Sequence, residues 1–201
     1  MKKIISLCIA ILTLCMVGCS NSLNSKIPND LNVSNPKEDS KYIYLSADYP
    51  MYDSADEVEK ASTNIYVGIV KDISFEIIDM KTAKTVYSAN GSPMLNTVYT
   101  IEIKESLKGE NPTEVNIAVI GGIEGYKEFE QYNKWESIGM IGQYGGIPIV
   151  ADEKATLGIG EEYLFCVYRS TGDYDLGINL TQFAHHIDSE NAKAIIDAVN
   201  G

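Results

Sequence analysis

Arginine is almost missing from this chain. Arg169 is the only one among 16 basic residues, set against 28 acids, for a net charge of −12. That removes the usual means of bidentate phosphate recognition. So acidic a surface also repels nucleic acid and anionic lipid, so nucleic-acid binding is excluded as a function. Histidine is confined to the adjacent pair His185 and His186. Neighbours on a strand point to opposite faces, and no cluster of cysteine or histidine elsewhere completes a zinc site, so the pair reads as exposed and structural. There is no Gly-x-Ser-x-Gly elbow, no Gly-Lys-Ser/Thr phosphate loop and no Gly-x-Gly-x-x-Gly after a strand. Carboxylates are so numerous that no pair stands out for glycosidase chemistry. The chain therefore reads as non-enzymatic, with neither cofactor nor metal. Long hydrophobic runs are absent too: the longest covers residues 4–17, short of the roughly twenty residues that a spanning helix needs.

What is present begins at the N-terminus. Lys2 and Lys3, the apolar run and Gly18 make the three parts of a secretory signal. The junction Met16-Val17-Gly18-Cys19 resembles a bacterial lipobox, with Met16 where leucine is common. The resemblance implies that residues 1–18 are removed and that Cys19 receives a diacylglyceryl thioether. Two acyl chains, at about 0.8 kcal/mol per buried methylene, then hold the protein at the extracytoplasmic face of the cell membrane. An ordinary signal peptide with an incidental cysteine is the alternative. On the lipobox reading two lysines leave with the signal, taking the net charge from −12 to −14. Cys8 and Cys15 leave as well, so Cys166 is the one free cysteine and no internal disulfide forms. Between Phe165 and Val167 it reads as a buried core thiol rather than a nucleophile.

Residues 19–40 are rich in Ser, Asn, Asp, Lys and Pro and read as a flexible acylated tether. A single extracytoplasmic domain is expected over 41–201. Its first strand starts near Lys41, where Tyr42 and Tyr44 alternate with Ile43 and Leu45. Ser54 with Glu57 reads as a capping box for a short helix from Ala55 to Ser62. A strand is expected from Asn64 to Asp79, with Ile65, Val67, Ile69 and Ile73 on one side and Gly68 marking a bend or bulge. Met80 to Lys84 reads as a turn, Thr85 to Ser88 as a short return strand, and Asn90-Gly91-Ser92-Pro93 as a loop. Thr97 to Leu107 turns Tyr99, Ile101 and Ile103 to one face. Glu114 to Ile120, with Val115, Ile117 and Val119 inward, completes a hairpin with it. Further strands are expected at Ile147 to Val150, at Tyr163 to Tyr168 (apolar throughout, so buried on both faces) and at Tyr174 to Phe183. Ser189 caps a final helix, Glu190 to Val199, that packs through Ala192, Ile195, Ile196 and Val199. The sum is a mainly β, α+β domain: a small antiparallel OB-like barrel with a helix near each end.

Three segments carry a family resemblance. They are Ala61-Ser62-Thr63-Asn64-Ile65-Tyr66-Val67-Gly68-Ile69-Val70, Tyr99-Thr100-Ile101-Glu102-Ile103-Lys104-Glu105-Ser106-Leu107-Lys108-Gly109 and Leu157-Gly158-Ile159-Gly160-Glu161-Glu162-Tyr163-Leu164-Phe165. Together they resemble a group of uncharacterised Gram-positive lipoproteins over residues 48–188. More remotely they are similar to the netrin-like module and the tissue inhibitors of metalloproteinases, which implies an OB-type barrel and an inhibitor-like or immunity-type role. Those inhibitors act through an N-terminal Cys-x-Cys whose free amine reaches a catalytic zinc. Here Cys19 is the acylated residue and no second cysteine follows nearby, so the mechanism does not carry over with the fold.

Two stretches invite a site. Asp173-Tyr174-Asp175-Leu176-Gly177 has some look of a calcium loop, but its glycine comes one position early and Ala184 stands where the last carboxylate belongs. An acidic hairpin turn is the plainer reading. Residues 121–146 hold seven of the 16 glycines together with Tyr126, Tyr132, Trp135 and Tyr144. No single period fits them, although Tyr126 to Ile138 has the makings of a loose helix. This loop is the candidate contact surface for a protein or cell-wall glycan. The other reading is tyrosines at strand edges, rings buried and hydroxyls wet.

Overall fold

The computed structural model describes residues 31–33, 41–47, 49–150, 155 and 157–201. The expected signal, the expected acylation site Cys19 and most of the expected tether lie outside the described residues. In chain order the elements are β1 (Leu31–Val33), β2 (Tyr42–Ala47), α1 (Ala55–Ala61), β3 (Asn64–Asp79), β4 (Lys84–Thr85), β5 (Pro93–Lys108), β6 (Glu114–Ile120), α2 (Glu128–Ser137), α3 (Met140–Tyr144), β7 (Ile147–Val150), β8 (Glu162–Tyr168), β9 (Asp175–Gly177), β10 (Ala184–His186) and α4 (Glu190–Asn200). The domain is mainly β, with a C-terminal helix as expected. Among the described residues no helix is long and apolar enough to cross a membrane.

The long arms β3 and β5 form the spine. β5 pairs on to β6, β6 runs parallel to β9, and β9 pairs antiparallel with β8. Because β8 also pairs with β3, these five pairings return to their start. β9 gives only two register positions to each neighbour, and β3 and β5 continue past the ring. A separate sheet of β1, β2 and β7 lies beside it, with β2 and β7 parallel. β1 belongs to the stretch expected to be tether, so the ladder on β2 begins earlier than Lys41.

The ring encloses one core, built from Tyr66, Tyr99, Ile117, Phe165 and Phe183, each fully buried. The expected single apolar side of β3 is corrected here. Ile65 and Val67 do share a face, but it is the outer one, covered by Val58 of α1 and Ala192 and Ile195 of α4. Tyr66, Val70 and Ile73 point inward. The switch from even to odd numbers occurs at Lys71, the extra residue between the pairs Val70–Ile101 and Asp72–Thr100. One inserted residue turns over every side chain that follows. Gly68 is needed nearby, because a Cβ there would lie 2.6 Å from Ile101 Cγ2 and 2.8 Å from the Glu102 carbonyl.

β8 is buried on both faces, as its composition predicts: Tyr163, Phe165 and Val167 face the ring, and Leu164 and Cys166 face the helices. Cys166 is fully buried, and burial pushes its thiol up to about 12, well away from nucleophilic character. α1 ends at Ala61 and starts at the expected Ser54–Glu57 pair: Ser54 Oγ accepts from Glu57 N, while Glu57 Oε2 accepts at 2.8 Å from the amide of Asp53, one residue before the cap, rather than from Ser54 N. Ser189 Oγ accepts from Ala192 N at 3.1 Å to begin α4.

Two strand expectations are shortened. The return strand is only Lys84–Thr85, because Asp79 closes the turn before it, accepting from Lys81 N and Thr82 N at 3.0 Å and from Ser92 N at 2.9 Å. The 174–183 strand stops at Gly177, because Asn179 Oδ1 accepts from Thr181 N and Gln182 N and bends the chain instead.

Candidate functional site

Residues 121–146, expected to be a loop, are largely helical: α2 and α3 occupy most of them. Gln131 is the reason the segment folds back. Its amide is fully buried, with Oε1 accepting from Ile123 N at 3.1 Å and Nε2 donating to the carbonyls of Ile123 and Tyr126. One side chain so closes the 123–126 turn against the first turns of α2. Gly122 makes room for it, since a Cβ there would come within 1.8 Å of Gln131 Oε1. Lys127 enters the helix in the left-handed region, φ 42°, and its ammonium donates to the Ile73 carbonyl at 2.7 Å. An ion pair of 2.8 Å between Lys134 and Glu76 ties the helix to β3.

This placement divides the four aromatic candidates. Trp135 is 3% exposed and stacks on Tyr144, centroids 6.4 Å apart and planes at 27°. Tyr126 is half-buried with its ring 6.2 Å from Phe75. Gln131, Trp135 and Ile138 share the inward face, at the helical spacing of four and three. Tyr132 alone of the four is solvent-facing, 42% exposed. Its companion is Phe129, one turn earlier and 80% exposed, which the sequence reading passed over. Phe129 borders a shallow apolar depression with Asn133 and Ser137. The signal for it was available in the helical period of 128–137, which glycines on either side obscure. α2 thus offers two aromatic rings in water, flanked by Glu128 and Glu130, on a helix anchored from below.

Asp175 of the 173–177 hairpin is committed internally. Arg169 Nη1 donates to Asp175 Oδ1 at 2.8 Å and its Nε lies 3.4 Å from Glu110. Asp175 has no exposed side-chain surface, so the 173–177 hairpin presents a paired carboxylate rather than an open calcium loop. The expected exposed histidine pair is half correct. His186 is exposed and packs edge-on to Tyr163 at 5.6 Å, but His185 is half-buried. Among the described residues, no group of three or more His, Cys, Asp or Glu is placed to hold a metal ion. No protein-family model matches the chain, and no curated protein matches it either.

Proposed function

We propose that this is a lipid-anchored, extracytoplasmic and non-enzymatic interaction protein, held at the cell membrane through acylated Cys19 and meeting a protein or cell-wall glycan through the outer face of α2. The observation that carries it is the exposed pair Phe129 and Tyr132. Leaving a large aromatic side chain in water forgoes about 2–3 kcal/mol of burial, and aromatics on a rigid helix make low-entropy contact groups for a partner surface or a sugar face. The Gln131 anchor and the Lys134–Glu76 pair support the reading by presenting those rings on a fixed base. Co-sedimentation with purified cell walls and pull-down from detergent-solubilised membranes, each with wild type and with Phe129→Ser/Tyr132→Ser, test it. Loss of wall or partner binding in the variant is expected; equal profiles overturn the α2 surface. For the anchor, Cys19→Ala is expected to release the protein from membranes and to abolish lipid labelling.

A second reading, an inhibitor-like or immunity-type protein on an OB-type barrel, is favoured by the strand pairings. Five strands pair in a ring, and the third and fifth of them in chain order, β6 and β9, are its only parallel neighbours. That arrangement supports the OB-type description of the domain. Inhibition of any member of a fluorogenic peptidase panel would move the assignment to this class.

A further inference from the structure

Two carboxylates on α2 lack a counter-charge, and helix stability accounts for neither. Glu130 has Lys134 four residues on, the spacing and order at which a Glu–Lys pair forms along a helix. Lys134 reaches down to Glu76 on β3 instead, at 2.8 Å. Glu136 lies in the last turn, where the negative end of the helix dipole disfavours an acid. Among the described residues neither carboxylate is ion-paired. The other cations nearby are already taken. Lys41 pairs with Glu128 at 2.6 Å, and Lys127 donates to the Ile73 carbonyl and lies 3.8 Å from Asp72.

These acids share a face with the exposed rings. Phe129, Tyr132 and Glu136 follow one another at three and four residues, so they form a stripe along one side of α2. At 1.5 Å per residue the stripe is about 10 Å long. Glu130 borders the same depression as Phe129, together with Asn133 and Ser137. The face of an aromatic ring is the negative part of its quadrupole. Rings and carboxylates here therefore attract the same kind of group, a cation.

Charge then selects among partners. An anionic polymer meets like charge, both at this face and on a chain of net charge −12. A neutral glycan can stack on the rings, but it offers no charge to offset two carboxylates that its arrival would partly desolvate. A guanidinium or ammonium suits both features: it lies over a ring while its N–H groups donate to a carboxylate. Basic side chains two residues apart on an extended segment are about 6–7 Å apart. Two of them fit within the stripe.

We infer that the partner of α2 is a protein segment carrying two closely spaced arginines or lysines, its cations held over Phe129 and Tyr132 with Glu130 and Glu136 as counter-charges. This rests on the reading of α2 as the contact surface and selects protein over glycan. The test is fluorescence anisotropy of a dye-labelled Gly-Arg-Gly-Arg-Gly peptide with the full-length protein in non-ionic detergent. Ionic strength is held near 0.15 M, where exposed charges more than about 8 Å away are largely screened. The peptide with citrulline for arginine, which keeps the shape without the charge, and a tetramer of N-acetylglucosamine are the comparison probes. Saturable binding of the arginine peptide is expected, and none of its citrulline form. Affinity should fall about three- to tenfold in Glu130→Gln/Glu136→Gln, which keeps side-chain size, and similarly in Phe129→Ser/Tyr132→Ser. Glu114→Gln/Asp197→Asn removes as much charge at exposed positions of β6 and α4 and should leave affinity within about twofold. An inert arginine peptide, equal binding of the citrulline form, an equal loss in the β6/α4 variant, or binding of the sugar tetramer alone overturns the inference. The α2 surface itself fails on a different result, capture of native partners unchanged in Phe129→Ser/Tyr132→Ser.

Discussion

Single residues hold the turns of this molecule, and Asp79 is the best example. The Ser92 amide above all, with those of Lys81 and Thr82 and the Thr82 hydroxyl, holds its carboxyl below the usual carboxylate range. A folded-state pKa below the unfolded value near 3.9 means that the stabilisation is fully present above that value and is lost as pH falls through the folded pKa. Asp79→Asn is therefore expected to destabilise by about 2 kcal/mol at neutral pH, the range for hydrogen bonds to a charged acceptor. In urea titrations from pH 7 to pH 2.5 the gap between variant and wild type should shrink below pH 4. A gap that stays constant to pH 2.5 would show that the charge is not what matters. Asp79 was visible in the sequence only as the residue before a turn. That its two oxygens serve both the 80–82 turn and Ser92, thirteen residues on, depends on β3 and β5 coming together.

At the scale of elements, the strands were legible and their facing was not. β3 and β6 run over the residues that alternation assigned, because period-two patterning reports a sheet directly. Which side of β3 is inner depends on an unpaired residue at Lys71, and no local signal marks a bulge at a lysine. Gly68 does carry such a signal. Gly68→Ala is expected to lose about 1–3 kcal/mol, since the new methyl group meets the Glu102 main chain as well as Ile101. Gly142→Ala, in α3 with nothing within 4 Å of its Cβ, should be neutral or stabilising. Thermal melts of the two variants compare them, and equal melting temperatures would refute the close packing of β3 on β5. Residues 121–146 failed as a sequence reading for the opposite reason. Their helices are short, flanked by glycines at positive φ, and held by the tertiary contacts of Gln131 and Trp135 rather than by a strong amphipathic period.

For the whole molecule, closure of the ring is the weak link, because β9 is short and Asp175 on it is buried against a single arginine. Removing one partner strands the other charge, and for a fully buried pair that is unfavourable by about 3–5 kcal/mol. Arg169 is 45% exposed along its side chain, so water compensates in part and about 2–3 kcal/mol is expected for Arg169→Met. Asp175→Asn/Arg169→Met should recover some of that loss, giving a coupling of the sort that double-mutant cycles detect in contacting residues. Chemical denaturation of the four proteins measures it, and strict additivity would mean that the pair does not join β8 to β9. By itself the sequence determined the α+β class, the positions of the long strands β3 and β6 and the buried Cys166, because those depend on local period and composition. Only the tertiary structure decided that Trp135 is buried with the half-buried Tyr144 stacked on it, and that Phe129 stands outside with Tyr132. Those outcomes turn on which surfaces meet across the fold, a property no local pattern records.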